Sequence, residues 1–259
     1  MRFWLVLCPV VLIIWFLFAN LEHPSVWSDN ELKAIQSLSL AELKPPPPDP
    51  TNLVAGSVEA ARFGHKLFFD EQLSITGTVA CASCHIPTQN FRDLLPKAIA
   101  IGEAKRRTPS ITGGAYSPWQ YWDGRKDSQW SQALAPLERT LEHGGNRTFY
   151  ARYVLDKYRD EYELIFGLGP DLSDIDRFPV HAGPVENLEW SSAWQKMTPQ
   201  DRDSVNRIFV NIGKAIAAYE RLILPGRTRF DEYAEALLSG EEISDFSHDE
   251  VEGLRLFIG

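Results

Sequence analysis

The residues of this chain best suited to chemistry are Cys81-Ala82-Ser83-Cys84-His85, the pattern Cys-x-x-Cys-His. On one turn of helix, cysteines at positions i and i+3 share a face, so both thiols can reach the edge of one porphyrin. The histidine that follows can turn its imidazole onto the iron. Chance placement of this pattern in a chain with so few cysteines has odds of roughly one in a thousand. The spacing therefore predicts covalent haem c on Cys81 and Cys84, with His85 as the iron ligand.

Two other uses of this cysteine pair are weaker. A structural zinc site needs four ligands, and the third cysteine, Cys8, lies inside an apolar run. A thioredoxin-like redox pair would begin a helix in an alternating strand and helix pattern, and it would have no use for His85. Covalent haem remains the favoured interpretation.

The first twenty residues predict export from the cytoplasm. Arg2 precedes an uncharged run over residues 3–19, and that length is at the short edge of what spans a bilayer. Because no clear small-x-small cleavage site follows, we expect residues 1–20 to be a signal peptide or, in preference, an uncleaved membrane anchor. Apart from Cys8, the chain has no cysteine outside the haem motif, which fits an oxidising compartment. We expect a periplasmic protein, held at the inner membrane by this segment.

The composition predicts a folded, acidic protein. Apolar residues make up 44% of the 259 residues, enough for a sizeable core. The formal net charge of −9 argues against a nucleic-acid partner and suits a partner with a basic docking face.

The domain organisation follows from proline content and helical periodicity. Residues 21–54, which end in a proline-rich stretch, are expected to be a linker, and residues 55–224 to form the haem domain. Apolar residues at helical spacing predict helices after Ser57, over residues 147–166, and after Thr198 and Ser247, while Gly64 would allow close approach of another helix. Ser57, Thr198 and Ser247 are the expected N-caps of three of these helices. No run of alternating strands appears, so the expected fold is mainly α, a cytochrome c-like haem domain with long loops.

Several further motifs surround the haem motif. Leu67-Phe68-Phe69-Asp70 precedes it, and Phe91, Asp93, Arg107-Thr108-Pro109-Ser110 and Tyr121-Trp122-Asp123-Gly124-Arg125 follow it. In this combination the chain resembles the bacterial di-haem cytochrome c peroxidase family, particularly its MauG-like branch. The resemblance begins at Phe63 and covers about four fifths of the chain.

The resemblance implies two haem-c domains that face one another. In that family the N-terminal haem is the site of peroxide chemistry, and the C-terminal haem receives electrons and passes them across. This chain carries the first motif only, and residues 253–259 resemble the segment that leads into the second. We therefore expect residues 225–259 to begin a second cytochrome c domain and the chain to be truncated within it.

The resemblance also implies roles for residues on the face of the haem opposite His85. Glu142 matches the carboxylate that takes a proton from one peroxide oxygen and returns one to the other. Gln132 matches the amide that orients peroxide or water, and Pro136 matches the residue that shapes the pocket between them.

Trp122 matches the aromatic residue that relays oxidising equivalents between the two haems. From the residues alone, it is most simply a buried aromatic side chain beside an Asp123-Gly124 turn. Arg125 is placed to bind a haem propionate or Asp123.

The remaining ligands of the family are in doubt in this chain. No histidine falls in residues 86–142, so the iron is expected to be open or water-bound opposite His85. His65 and His143 are expected at the surface or just outside the direct ligands. Calcium is doubtful, because Arg107 stands where the family has an asparagine ligand.

The implied function is a haem-dependent peroxidase-like oxidoreductase. The complete protein would reduce hydrogen peroxide with electrons from a small cytochrome or another periplasmic donor, or oxidise a partner protein. Two alternatives stay open: a single-haem electron carrier without enzymatic turnover, and a non-functional fragment.

Overall fold

The computed structural model describes residues 27–241 and 246–259. Within these ranges the secondary structure is helical, and the only β structure is two isolated bridges. The helices are α1 (Asp29–Leu38), α2 (Val58–Phe68), α3 (Cys81–Cys84), α4 (Gln129–Glu138), α5 (Arg147–Lys157), α6 (Arg159–Phe166), α7 (Leu188–Lys196), α8 (Pro199–Glu220), α9 (Arg229–Ser239) and α10 (His248–Ile258). The expectation of a mainly α fold with long loops is confirmed.

The predicted signal or anchor over residues 1–20 lies outside the described residues. Among the helices that are described, none combines the length and apolar character needed to cross a membrane.

Three of the predicted helix starts are present with side-chain caps. The Ser57 hydroxyl accepts a hydrogen bond from the Ala60 amide at 3.1 Å. The Thr198 hydroxyl likewise accepts from the Asp201 amide at 3.2 Å. Ser247 opens α10 with a reciprocal capping box. These caps satisfy amide groups that would otherwise have no partner in the first turn.

The single helix expected over residues 147–166 is two helices. The chain breaks at Tyr158, whose ψ of 27° leaves the helical region. The hydroxyls of Tyr153 and Tyr158 donate to the Asp70 carboxylate at 2.5 and 2.8 Å, and the Lys157 ammonium donates to the same oxygen at 3.0 Å. Burial alone would raise the pKa of Asp70, but these hydrogen bonds lower it, so the carboxylate stays charged at the join. A tertiary contact thus overrides the local periodicity.

The expected linker over residues 21–54 is partly folded. The chain divides into two compact units, one from Pro45 to Pro225 and one that joins the described residues before Pro45 to those after Pro225. In the latter unit α1 contacts α9 and α10, and the Trp27 indole donates to the Tyr233 hydroxyl at 2.6 Å. The apolar face of α1 therefore belongs to a core, and the linker prediction is wrong for this helix.

The larger unit is built around α8. Helices α2 and α4 make the most extensive contacts with it, and its apolar face carries Val205, Ile208, Phe209, Ile212 and Ile216, all buried. Met197, just before α8, lies in the same core. Where α2 crosses α8, a Cβ atom on Gly64 would lie only 1.9 Å from the Ala215 carbonyl oxygen. Gly64 therefore permits the close approach that the sequence indicated.

We expect Gly64→Ala to force α2 and α8 apart and to lower the free energy of unfolding by about 1 to 3 kcal/mol. The measurement is urea unfolding of the haem-loaded protein followed by circular dichroism. Gly56→Ala is the matched control, because no atom lies within 4 Å of its added Cβ, and it should change stability by less than about 0.5 kcal/mol. Equal effects of the two substitutions would contradict the close approach.

Candidate functional site

The haem motif forms one short helical turn. The His85 amide donates to the Cys81 carbonyl at 2.9 Å, and the Ala80 amide donates to the Ser83 hydroxyl at 3.0 Å. Cys81 and Cys84 are both free thiols and both partly buried. The turn thus places two thiols at i and i+3, as the spacing predicted.

The His85 ring is held by the loop that follows it. Its Nδ1–H donates to the Phe91 carbonyl at 3.0 Å, which leaves Nε2 as the nitrogen with a lone pair. The loop reaches this geometry through two left-handed residues, Asn90 with φ 59° and Phe91 with φ 52°. Burial lowers the pKa of His85, so the ring is neutral near pH 7 and able to bind a metal.

A second segment supports this loop. The Thr108 hydroxyl donates to the buried Asp93 carboxylate at 2.6 Å, and that carboxylate also accepts from the Leu95 amide at 3.2 Å. The Ser110 hydroxyl donates to the Asn90 carbonyl at 2.5 Å. Asp93, Thr108 and Ser110 stood out in the sequence as motif residues without a role, and the structure shows that they fix the loop beside His85.

A cluster of aromatic side chains centred on Phe68 adjoins the ring of His85. The Phe68 ring centroid lies 6.4 Å from that of His85, 6.3 Å from that of Phe91 and 5.2 Å from that of Tyr219. Such side chains give a flat apolar group a matching surface.

His143 is a buried residue next to Cys81. Its Nδ1–H donates to the Leu73 carbonyl at 2.9 Å, and its Nε2 lies 4.0 Å from the Cys81 sulfur. With 4% of its surface exposed, it is not at the surface but just outside the haem-binding residues, the other position that the sequence allowed, whereas His65 is exposed. Burial raises the pKa of the Cys81 thiol to about 12.

These residues fit haem c. Two free thiols share one helical turn, and a neutral imidazole has Nδ1 bonded to a carbonyl and Nε2 as its other nitrogen. The apolar ring of Phe68 lies beside that imidazole. Cys81 and Cys84 would hold the porphyrin through thioethers, and His85 would bind its iron.

Gln132 and Pro136 lie on α4, and Glu142 lies in the loop that follows it. Gln132 and Pro136 are four residues apart and so lie on one side of the helix. The loop after α4 folds back, because the His143 amide donates to the Pro136 carbonyl at 3.1 Å. Glu142 is partly buried, and its carboxylate accepts from the Arg139 guanidinium at 2.9 Å. The structure therefore places Glu142 in the loop that folds back onto Pro136, at the end of the helix that carries Gln132.

Trp122 lies at the tip of a tight turn. The Gly124 amide donates to the Tyr121 carbonyl at 3.2 Å. The Arg125 guanidinium donates to the Asp123 carboxylate at 2.7 Å, and Asp123 is one of the two partners suggested for Arg125 from the sequence. The Trp122 side chain is 91% exposed, because the turn points it outward. Its interpretation as a buried aromatic residue is therefore wrong, and its relay role stays a prediction.

Glu220 was not identified from the sequence. It is 6% exposed at the end of α8, and burial raises the pKa of its carboxyl to about 8. When ionised, Glu220 would also raise the pKa of the Cys81 thiol, as the second-largest cause after burial. A signal was available, since Glu220 continues the buried stripe of Ile212 and Ile216 at a spacing of four.

Residues 58–237 match the family model described as di-haem cytochrome c peroxidase. The chain belongs to this family. The match spans the haem motif, α4 and the loop with Glu142.

Individual relatives are similar over part of their length. A methylamine utilization protein MauG from Methylorubrum extorquens is 41% identical over 81 residues, covering 30% of this chain and 23% of that protein. The cytochrome c551 peroxidase of Nitrosomonas europaea is 24% identical over 207 residues, covering 78% of this chain and 50% of that protein. The chain thus spans half or less of the length of these two curated relatives.

Solved structures share the fold. A MauG-like protein associated with microbial copper homeostasis has a TM-score of 0.57 at 23% identity, covering 84% of this chain and 53% of its own. The di-haem peroxidase BthA from Burkholderia thailandensis has a TM-score of 0.55 at 21% identity, covering 83% of this chain and 49% of its own.

Each cysteine of the motif should account for one thioether. We expect Cys84→Ser to keep haem covalently bound through Cys81 and to shift the pyridine haemochrome band to longer wavelength, because one vinyl group stays conjugated. The double variant Cys81→Ser/Cys84→Ser should release its haem into acidic acetone. Ser83→Ala is the control that should retain the wild-type band. Covalent haem in the double variant, or a colourless wild-type protein from cells that mature c-type cytochromes, would refute the assignment.

Glu220 should make stability depend on pH. Its pKa of about 8 in the folded protein exceeds its usual 4.5, so the native state holds a proton that the unfolded chain releases. The free energy of unfolding therefore falls as pH rises from about 4.5 to about 8. We expect Glu220→Gln to reduce this fall when urea unfolding is compared at both ends of the range. The exposed Glu189→Gln should keep the wild-type dependence, and the same dependence in Glu220→Gln would disprove the assignment.

Proposed function

We propose that residues 45–225 bind one haem c and form the peroxide-reacting half of a periplasmic di-haem peroxidase. The observation that carries the proposal is the pairing of two features in one unit. The first is a neutral His85 whose Nε2 is available, and the second is the group of Gln132, Pro136 and Glu142 after the same motif.

Haem c, when bound, supplies the electrons that cleave the O–O bond. The work of the chain is to move protons, since each H₂O₂ consumes two electrons and two protons to give two water molecules. Glu142 accepts the proton of the peroxide oxygen that is nearer the metal and delivers it to the departing oxygen. Arg139 holds the carboxylate in place through its 2.9 Å hydrogen bond. Gln132 offers an amide that orients peroxide or water.

Partners follow from charge and exposure. The net charge of −9 suits a small electron-donor cytochrome with a basic face. The exposed Trp122 ring suits a relay, because a second redox centre or a partner protein could approach it directly. Residues 1–20 would hold the protein at the inner membrane, facing the periplasm.

A test of this function compares the full-length haem-loaded protein with Glu142→Gln. We expect a high-spin ferric spectrum in both, and a fast spectral change on mixing wild type with hydrogen peroxide in a stopped-flow instrument. Without the carboxylate, that change should slow by about a hundredfold or more. Glu189→Gln, with an exposed carboxylate, should react as wild type does.

Two results would contradict the proposed function. A six-coordinate His/Met spectrum with slow peroxide reaction would favour the electron carrier instead. Equal rates in wild type and Glu142→Gln would remove Glu142 from the reaction.

A further inference from the structure

Tyr121 has an unusual backbone conformation. Its φ of 67° places it in the left-handed region, which a bulky aromatic residue seldom adopts. The turn to Gly124, which also has a positive φ of 65°, holds it there. Such strain persists only when the surroundings fix it, and it concentrates at functional sites.

The Arg125 guanidinium stacks on the ring of Tyr121. The Arg125 guanidinium carbon lies 3.4 Å from the ring centroid, and the same guanidinium binds Asp123 at 2.7 Å. This stacking fixes the plane of the ring, so the direction of the hydroxyl is set as well.

The hydroxyl of Tyr121 points inward and lacks a partner. Its oxygen is buried and makes no hydrogen bond of acceptable geometry within the described ranges. The Gln132 side chain lies close enough to lower the pKa of Tyr121, but its contact with the hydroxyl falls outside hydrogen-bond geometry, and the charged groups of Arg139 and Glu142 also act on the phenol. Burial raises the pKa of Tyr121, so the phenol keeps its proton at neutral pH.

A purely structural role does not explain this hydroxyl. A phenylalanine would fill the same space and keep the contact with Arg125, without leaving a buried polar group unsatisfied. By contrast, the buried Tyr162 hydroxyl accepts a hydrogen bond from Asn211 at 2.9 Å. The Tyr121 hydroxyl therefore has a free donor in the region that contains Gln132 and Glu142.

We propose that the Tyr121 hydroxyl is a further hydrogen-bond donor to the small ligand that occupies this pocket. The inference rests on the proposed function and adds a third polar group to Gln132 and Glu142. As a donor, the phenol stabilises negative charge on the ligand atom nearest to it. It retains its own proton, so no oxidation and no bond to the ligand is involved.

The test uses fluoride, a hydrogen-bond acceptor that binds high-spin ferric haem and is not reduced. The full-length haem-loaded protein is titrated with fluoride as wild type, Tyr121→Phe and Tyr162→Phe. We expect Tyr121→Phe to weaken fluoride binding by about tenfold, as for the loss of one good hydrogen bond, and to shift the charge-transfer band of the complex. Tyr162→Phe should bind fluoride as wild type does.

Urea unfolding supplies a second readout. Tyr121→Phe should unfold at an equal or higher urea concentration than wild type, because it removes an unsatisfied group. Tyr162→Phe should unfold at a lower concentration, because it loses a hydrogen bond. A structural role for the Tyr121 hydroxyl predicts the opposite for Tyr121→Phe.

The outcomes separate this inference from the proposed function. Unchanged fluoride affinity in Tyr121→Phe, destabilisation equal to that of Tyr162→Phe, or no fluoride binding by wild type would overturn the donor role. A wild-type protein that binds fluoride through Tyr121 but does not react with peroxide would overturn the peroxidase function and support the donor role.

Discussion

The hydrogen bond from His85 Nδ1 to the Phe91 carbonyl is the constraint on which the candidate site depends. A carbonyl can only accept, so this contact fixes the tautomer and leaves Nε2 to the metal. It also sets the plane of the ring relative to the turn that carries the two cysteines.

His143 connects the haem motif to the proposed peroxide pocket. Its side chain lies between the Leu73 carbonyl and the Cys81 sulfur, while its backbone amide bonds to Pro136 and its carbonyl accepts from the Ile75 amide at 2.9 Å. The next residue back is Glu142. His143 therefore fixes the loop that carries Glu142 relative to the Cys81 thiol. The position of Glu142 depends on the packing of its neighbour as well as on its own bond to Arg139.

The sequence was informative where local rules decide the outcome. The Cys-x-x-Cys-His spacing, the Ser57 and Thr198 caps and the close approach at Gly64 depend on neighbours within a few residues or on one missing side chain, and all were predicted. The break at Tyr158 and the burial of His143 depend on contacts with residues far along the chain, Asp70 and Cys81, which periodicity does not reveal. The exposure of Trp122 was missed for a related reason: the direction of a turn is set by its tertiary surroundings.

Three local costs coincide with this site. Phe91 and Tyr121 hold left-handed backbone conformations, which cost on the order of 1–3 kcal/mol each, and Glu220 is buried without the charge it would carry in water. Two of these costs have an identifiable product: the Phe91 conformation turns a carbonyl to His85, and the Tyr121 conformation places its hydroxyl near Gln132. The loops adjoin a core in which α8 makes its most extensive contacts with α2 and α4. The large helical core is therefore what allows the adjoining loops to hold geometries that their own residues disfavour.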